Sequence, residues 1–360
     1  MLALITALIV FLATVLLILA LRPIAVSIGL TDQPDLRKQH SGSIPLVGGI
    51  AIYLALVTGV LFGAWATDAL PFIFRQVFSF LAAGFLLVVI GVWDDLRGLS
   101  PSLRLVVQSI AGLIMVFGAD MVIRDLGAIL PSGEVLVLGG LAVPFTVFVV
   151  VGVINAVNMC DGLDGLSGNL TLVTLLGLGA ASAMFGSADI GVLLNILSGA
   201  VAGFLVFNQR MIWRPKASVF LGDAGSMLLG FSLVWIIVDL CQEPARSISP
   251  AASLWFLLVP VYDTVGAIVR RLASGYSPLH PDVRHIHHLF IRAGFSVSET
   301  IFSLSVVSAS GMAIGITATA YGTPELRLVG VFVFGWLLFL WYTQRAWRTG
   351  RFLGRKLAQR

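Results

Sequence analysis

The chain has 360 residues, 58% of them hydrophobic and 11% charged, with a net charge of +4 and a mean hydropathy of +1.00. In water such a chain would expose apolar patches far larger than a soluble monomer tolerates, which excludes a water-soluble enzyme and makes the bilayer its solvent. The small basic excess reads as a membrane anchor and not as a nucleic-acid surface.

A helix needs about 20 apolar residues to cross roughly 30 Å of hydrocarbon. Eleven such runs occur, at residues 2–21, 46–67, 71–92, 103–119, 135–155, 168–186, 189–207, 219–238, 251–269, 298–321 and 326–344. The fourth is short and the eighth opens with "GDAGS". The first lacks the basic start and small-residue cleavage site of a signal peptide, so it reads as an anchor. The sequence therefore predicts an all-α, polytopic integral membrane protein of about 11 transmembrane helices, one domain over 1–360 with a basic tail at 345–360.

Lys and Arg set the orientation. The loops after runs 1, 3, 5, 7 and 9, with the C-terminal segment, hold 18 of the 22 basic residues. That face is expected to be cytoplasmic, with the N-terminus periplasmic and the C-terminus cytoplasmic. Cys160 and Cys241 then fall on opposite faces, too far apart for a disulfide.

The polar residues collect on the same basic face. Asp94 and Asp95 end run 3 in "GVWDDLRGLSP". Asn155, Asn158, Asp161 and Asp164 follow run 5 in "NAVNMCDGLDGLSG". Asp223 opens run 8, "HPDVRHIHHLFIRAGF" fills the loop after run 9, and Lys38 with His40 belongs to the first loop. Each cluster alone has an ordinary reading: a helix-end carboxylate caps or is solvated, "DGLDG" is a turn, and Arg or Lys is a positive-inside anchor. Together they are harder to dismiss, because an Asp drawn to a helix centre costs about 2.5–3.5 kcal/mol. Carboxylate and amide oxygens without cysteine favour Mg²⁺, with Mn²⁺ as the alternative, and the flanking glycines would let a polyanion approach the backbone. The pattern fits neither an EF-hand nor a phosphate-binding Walker loop.

In order and spacing, "DQPDLRKQHSGSIPLVGG", "DDLRG", "NAVNMCDGLDGLSG", "VFLGDAGS" and "RHIHHLFIRAGF" resemble the polyprenyl-phosphate N-acetylhexosamine-1-phosphate transferases. The resemblance extends from about residue 28 to the C-terminal "RAWRTGRFLGRK". His285, Ile286, His287 and His288 depart from the three consecutive histidines of the phospho-MurNAc-pentapeptide branch and favour the simple amino-sugar branch. Gly98 stands where the family often has a third acid.

The resemblance implies transfer of a sugar 1-phosphate from a UDP-amino sugar to undecaprenyl phosphate at the cytoplasmic face of the bacterial inner membrane, with release of UMP. UDP-GlcNAc is the expected donor, with UDP-GalNAc, UDP-QuiNAc and UDP-FucNAc as alternatives and O-antigen or related polysaccharide as the destination. The same resemblance implies Asn158 and Asp223 as metal ligands, and Asp94, Asp95, Asp223, His287 and His288 as the catalytic set. Asp94 is the base candidate if one exists, though positioning is favoured because a phosphate monoester is largely dianionic at pH 7. It further implies Asn155, Asp161, Gly162, Leu163 and Asp164 around uridine, Phe220 stacked on uracil, and Lys38, His285 and Arg292 on phosphate and sugar. A hydrophobic groove should lead to Asp94 and Asp223, and a homodimer is compatible with the sequence.

Two rivals remain in view. An ion-coupled transporter would use the helix-end acids and Asp263 of run 9, although Asp263, three residues after Pro260, reads more simply as a helix-bend partner. A zinc enzyme would use the three loop histidines, without the HExxH pattern or Cys ligands.

Overall fold

Hydrocarbon offers a backbone no hydrogen-bond partner, so a spanning segment must satisfy its N–H and C=O groups internally. The computed structural model, which describes residues 2–32, 43–67, 70–186, 190–242, 246–278 and 284–357, follows that rule. Its helices are α1 (Leu2–Ile28), α2 (Gly48–Thr67), α3 (Leu70–Arg97), α4 (Pro101–Leu113), α5 (Ala142–Met159), α6 (Leu166–Phe185), α7 (Ile190–Asn208), α8 (Gly222–Cys241), α9 (Pro250–Phe256), α10 (Leu258–Ala273), α11 (Ile286–Arg292), α12 (Val297–Ala320) and α13 (Glu325–Thr349). Two short hairpins, β1–β2 (Thr31–Asp32 with Ile44–Pro45) and β3–β4 (Arg351–Phe352 with Arg355–Lys356), complete the elements.

The protein is an all-α, multi-pass membrane protein. Each of the eleven expected runs holds helix; among the described residues nine helices are long and apolar enough to cross a bilayer, or ten if the α9–α10 pair counts as one span, and α2 contributes a shorter apolar stretch, Gly48–Gly63. The last helix runs past residue 344 to Thr349, and the β3–β4 hairpin then folds back so that Phe352 meets the Phe290 ring at 4.9 Å. Residues 345–357 are thus built into the fold.

The ninth run is not one straight helix. It breaks between α9 and α10 with an 86° bend. Pro260 has no N–H to donate to the carbonyl of Phe256 four residues earlier. The Thr174 hydroxyl of α6 shares its one hydrogen between Leu170 O of its own helix, at 2.9 Å, and that carbonyl, at 3.2 Å. The proline causes the break, and the threonine satisfies it.

Helix α8 is the spindle. Its spanning window is 94% buried, and neighbours reach it through glycines. A methyl at Gly49 of α2 or Gly91 of α3 would collide with the α8 backbone at Ala224 or Gly225, and one on α8 at Gly230 would strike Ile154 of α5. Backbone bonds Gly48 N–H to Phe220 O (3.1 Å), Gly49 N–H to Leu221 O (2.9 Å) and Phe220 N–H to Pro45 O (2.9 Å) pin the entry of α8 to that of α2. The first residues of α8 are held as firmly as its centre.

Candidate functional site

Helix ends deliver the polar groups to one place. The last turn of α3 carries Asp94 and Asp95, the last turn of α5 carries Asn158, and the first turn of α8 carries Asp223. They line one pocket of about 570 Å³, together with Asp161, Gly162, Leu163, Asp164, Phe220 and His288.

Asp223 is the junction. Its Oδ1 accepts from Asn158 Nδ2 at 2.6 Å, its backbone N–H donates to Asp95 Oδ1 at 3.1 Å, and its Oδ2 lies 3.8 Å from Arg104 Nη1. Asn158 Nδ2 also donates to Ser226 Oγ at 2.8 Å. Ser226 sits one turn beyond Asp223 on the same α8 face. Asp94 is fully engaged: Oδ1 accepts Leu99 N–H at 2.6 Å, and Oδ2 accepts Arg104 Nη1 at 2.9 Å. Arg104 is brought there by a turn through Gly98 (φ +68°), after which Ser100 caps α4 at the Leu103 N–H and Pro101 fills its first turn. Asp95 Oδ2, by contrast, is buried without a hydrogen-bond partner. It occupies the space beside Gly222 (φ +73°), where a methyl would strike it.

The opposite wall is the loop between α5 and α6. Asp164 Oδ2 accepts from Arg210 Nε at 2.8 Å and from Ala217 N–H at 3.1 Å, while Gly165 N–H donates to Asn208 Oδ1 at 2.8 Å. Asp161 lies deep between the walls. Burial, and then the charges of Asp223, Asp95 and Asp164, raise its pKa to about 8.

Of the three histidines only His288 lines the pocket. His287 is buried, with Nε2 unpartnered and packed where a Cβ of residue 162 would stand. Burial first, and then His288, lower its pKa to about 3, so the ring is neutral at pH 7. His287 therefore supplies no charge; it offers a ring N–H or a lone pair. His285 Nδ1 meets Asp263 Oδ2 at 2.8 Å, and Ile286 N–H donates to Asp263 Oδ1 at 2.9 Å. Asp263 is thus tied to the histidine loop and does not serve the helix bend, where Thr174 is the partner.

Besides His285 and His287, two expected contributors are absent from the pocket lining. Asn155 Nδ2 donates to Gln108 Oε1 at 2.6 Å, joining α5 to α4, and the Arg292 guanidinium lies 4.7 Å over the Trp347 ring. Lys38 lies outside the described residues. Between α3 and α4 runs an apolar groove of about 690 Å³, lined from Phe74 to Ala82 and from Ile110 to Gly118. It stops twelve residues short of Asp94 along α3. Arg104, Arg210 and Ser226 were not singled out from the sequence; the first two had been weighed only as positive-inside cations.

Among the described residues no three His, Cys, Asp or Glu side chains are placed to hold a metal by themselves. That is compatible with Mg²⁺, which commonly takes one or two carboxylates and completes its shell from water and substrate phosphate. The unpartnered Asp95 oxygen beside Asp223 is the observation that fits a cation here. The histidines suit zinc poorly, since Asp263 occupies His285 Nδ1 and His287 Nε2 faces Gly162.

Residues 77–241 match the family described as Glycosyl transferase family 4. The chain is 35% identical over 347 residues to the undecaprenyl-phosphate alpha-N-acetylglucosaminyl 1-phosphate transferase of Escherichia coli O157:H7, covering 96% of this chain and 92% of that protein. It is 36% identical to the protein of the same name from Haemophilus influenzae (96% and 95% covered) and 35% to that from Yersinia pestis (96% and 93%). Likeness of this extent places the chain in glycosyl transferase family 4.

Proposed function

We propose that this protein transfers N-acetylhexosamine 1-phosphate, in the first instance GlcNAc 1-phosphate, from its UDP-sugar to undecaprenyl phosphate. An oxygen of the lipid phosphate attacks the β-phosphorus of the UDP-sugar and forms the new P–O–P bond. The bond from that phosphorus to the bridging oxygen breaks, and UMP leaves with the electron pair. The observation that carries the reading is the convergence of Asp94, Asp95, Asn158, Asp161 and Asp223 on one pocket at the ends of apolar helices, where a lipid phosphate meets a water-soluble nucleotide.

Asn158 and Asp223 would hold Mg²⁺, with Asp95 beside them, and the ion would neutralise the diphosphate. Asp94 accepts from Leu99 N–H and Arg104 on its two oxygens, which suits it to bracing Arg104 more than to acting as a base. Arg104 presents a fixed cation on the α3–α8 side, suited to the lipid phosphate. Asp161, Gly162, Leu163 and Asp164 form the nucleotide side, with Asp164 held by Arg210 and Ala217, and Phe220 lines the same pocket for uracil. His288 faces the pocket, and neutral His287 sets the position of Gly162. The basic-residue asymmetry supports a cytoplasmic pocket in the bacterial inner membrane, with a periplasmic N-terminus and a cytoplasmic C-terminus; the product would begin O-antigen or a related surface polysaccharide.

The test uses purified protein, undecaprenyl phosphate, Mg²⁺ and a panel of UDP-amino sugars labelled in the β-phosphate. Label should enter the lipid phase with one UMP released per transfer. EDTA should abolish transfer, and Mg²⁺ or Mn²⁺, but not Zn²⁺, should restore it. Release of UDP, or label remaining in water with every donor, would refute the proposal.

A further inference from the structure

Asp263 sits on α10, outside the pocket, with 1% of its surface exposed. A buried carboxylate is costly unless its oxygens are satisfied. Here both are committed to two consecutive residues of one loop, Oδ2 to the His285 ring and Oδ1 to the Ile286 N–H. A neighbouring bond, from Arg270 Nη2 to Arg284 O at 2.8 Å, ties the same loop to the same helix. Helix α10 thus holds the point at which α11 begins.

The consequence for His285 is chemical. An ionised carboxylate only accepts, so Nδ1 must carry the hydrogen and, in the neutral ring, the lone pair is left on Nε2. The consequence for α11 is geometric. Its start is fixed by the Ile286 bond, and within that same first turn His287 abuts Gly162 while His288 lines the pocket. The His285 and His287 rings stack at 5.8 Å, and those of His287 and His288 lie 4.2 Å apart.

We propose that Asp263 is a positioning residue for phosphoryl transfer: it fixes the tautomer of His285 and the start of α11, and so presents the histidine cluster to the loop that carries Asp161 and Asp164. The proposal rests on the transferase reading above. Its two bonds can be separated by Asp263→Asn, whose Oδ1 still accepts the Ile286 N–H while its Nδ2 donates to His285 Nδ1 and forces the hydrogen onto Nε2. Reversing an orienting carboxylate in this way costs up to about 10⁴ in kcat where the histidine acts directly on the reacting atoms.

The experiment compares the unaltered full-length protein with Asp263→Asn, Asp263→Glu, His285→Gln and the double variant Asp263→Asn/His285→Gln. We expect Asp263→Asn to lower kcat at least about 100-fold with the UDP-sugar KM within about threefold. Asp263→Glu, which restores an acceptor, should recover part of the loss. In the His285→Gln background, Asp263→Asn should cost less than about twofold further, because the two residues act as one unit. Full additivity, or an active Asp263→Asn, would overturn the proposal. The tautomer is read separately from turnover, by ring-nitrogen NMR of ¹⁵N-histidine protein, with His285 assigned by difference from His285→Gln. Hydrogen on Nδ1 in the unaltered protein and on Nε2 in Asp263→Asn supports the proposal even if no donor sugar is turned over, and an unchanged tautomer overturns it. An inactive parent with the expected tautomer shift would instead count against the transferase reading.

Discussion

His287 makes stability depend on pH in a direction that can be worked out. Its folded pKa is pushed down to about 3 by burial, against 6.5 for an ordinary histidine. The unfolded chain therefore takes up the proton first: the stabilisation is complete above pH 6.5 and is lost as pH falls toward 3. Between pH 7 and pH 5 the linkage amounts to about 2 kcal/mol. Other groups titrate over the same interval, so the informative quantity is a double difference against His287→Gln, which cannot take up that proton. Detergent-purified proteins are unfolded with denaturant at pH 7, 6 and 5 and followed by tryptophan fluorescence. The native protein should lose about 2 kcal/mol more than the variant from pH 7 to pH 5. The double difference cancels whatever the substitution does to packing at a single pH. Parallel pH dependences would show that His287 is protonated as readily folded as unfolded, and the account of a neutral, buried ring against Gly162 would fail.

Two further substitutions test the walls of the pocket. Gly162→Ala places a methyl on His287 Nε2, and because that ring is buried the clash should cost about 1–3 kcal/mol of stability and abolish most UMP release, whereas Gly98→Ala, with open space at its Cβ position, meets only backbone strain; an active, stable Gly162→Ala would refute the packing argument. Arg104→Gln leaves Asp94 Oδ2 without its cation, and should lower kcat/KM for undecaprenyl phosphate about 10–150-fold, equivalent to the roughly 1.5–3 kcal/mol of a charge-assisted bond, with Arg104→Lys recovering more than half of the loss in free energy, since a single guanidinium nitrogen serves both Asp94 and Asp223 and one ammonium can stand in its place.

How far the sequence could be read depended on whether a signal was local. The spanning helices were legible because hydrocarbon thickness imposes a run length, and the pocket acids because Asp and Asn stand out at the ends of such runs. Arg104 and Arg210 were hidden by the same rule that oriented the chain: positive-inside counting weighs every cation alike and has no means of separating an anchor from one folded onto Asp94 or Asp164. The glycines were read as room for a polyanion. At Gly162 and Gly222 the room is filled by the protein's own His287 and Asp95. Pro260 advertised a bend but not its position, because the carbonyl it leaves unsatisfied finds Thr174 on another helix, 82 residues away in the chain. Asp263 was assigned to that bend by proximity to Pro260, while its true partners lie 22 and 23 residues downstream.

The acids themselves argue for a cation by a route independent of family likeness. Asp161 is held near Asp223, Asp95 and Asp164, and its pKa of about 8, against 3.8 for an ordinary aspartate, means that the metal-free fold keeps a proton there at pH 7. The sign is opposite to that of His287: the folded protein binds the extra proton, so Asp161 favours the fold below pH 4 and progressively loses that contribution as pH rises through 8. A divalent ion entering beside Asn158 and Asp223 puts positive charge next to a carboxyl kept protonated first by burial and then by the neighbouring acids, so binding and deprotonation should be coupled. Asp161 alone would contribute about 0.9 proton per chain at pH 7 and only about 0.1 at pH 9. Titrating metal-free protein with Mg²⁺ by calorimetry, in buffers of different ionisation enthalpy, measures the total release. A release that exceeds that of Asp161→Asn by about 0.9 proton at pH 7, with the excess shrinking at pH 9, would tie the ion to this wall of the pocket; equal release from the two proteins would put the ion out of reach of Asp161's charge.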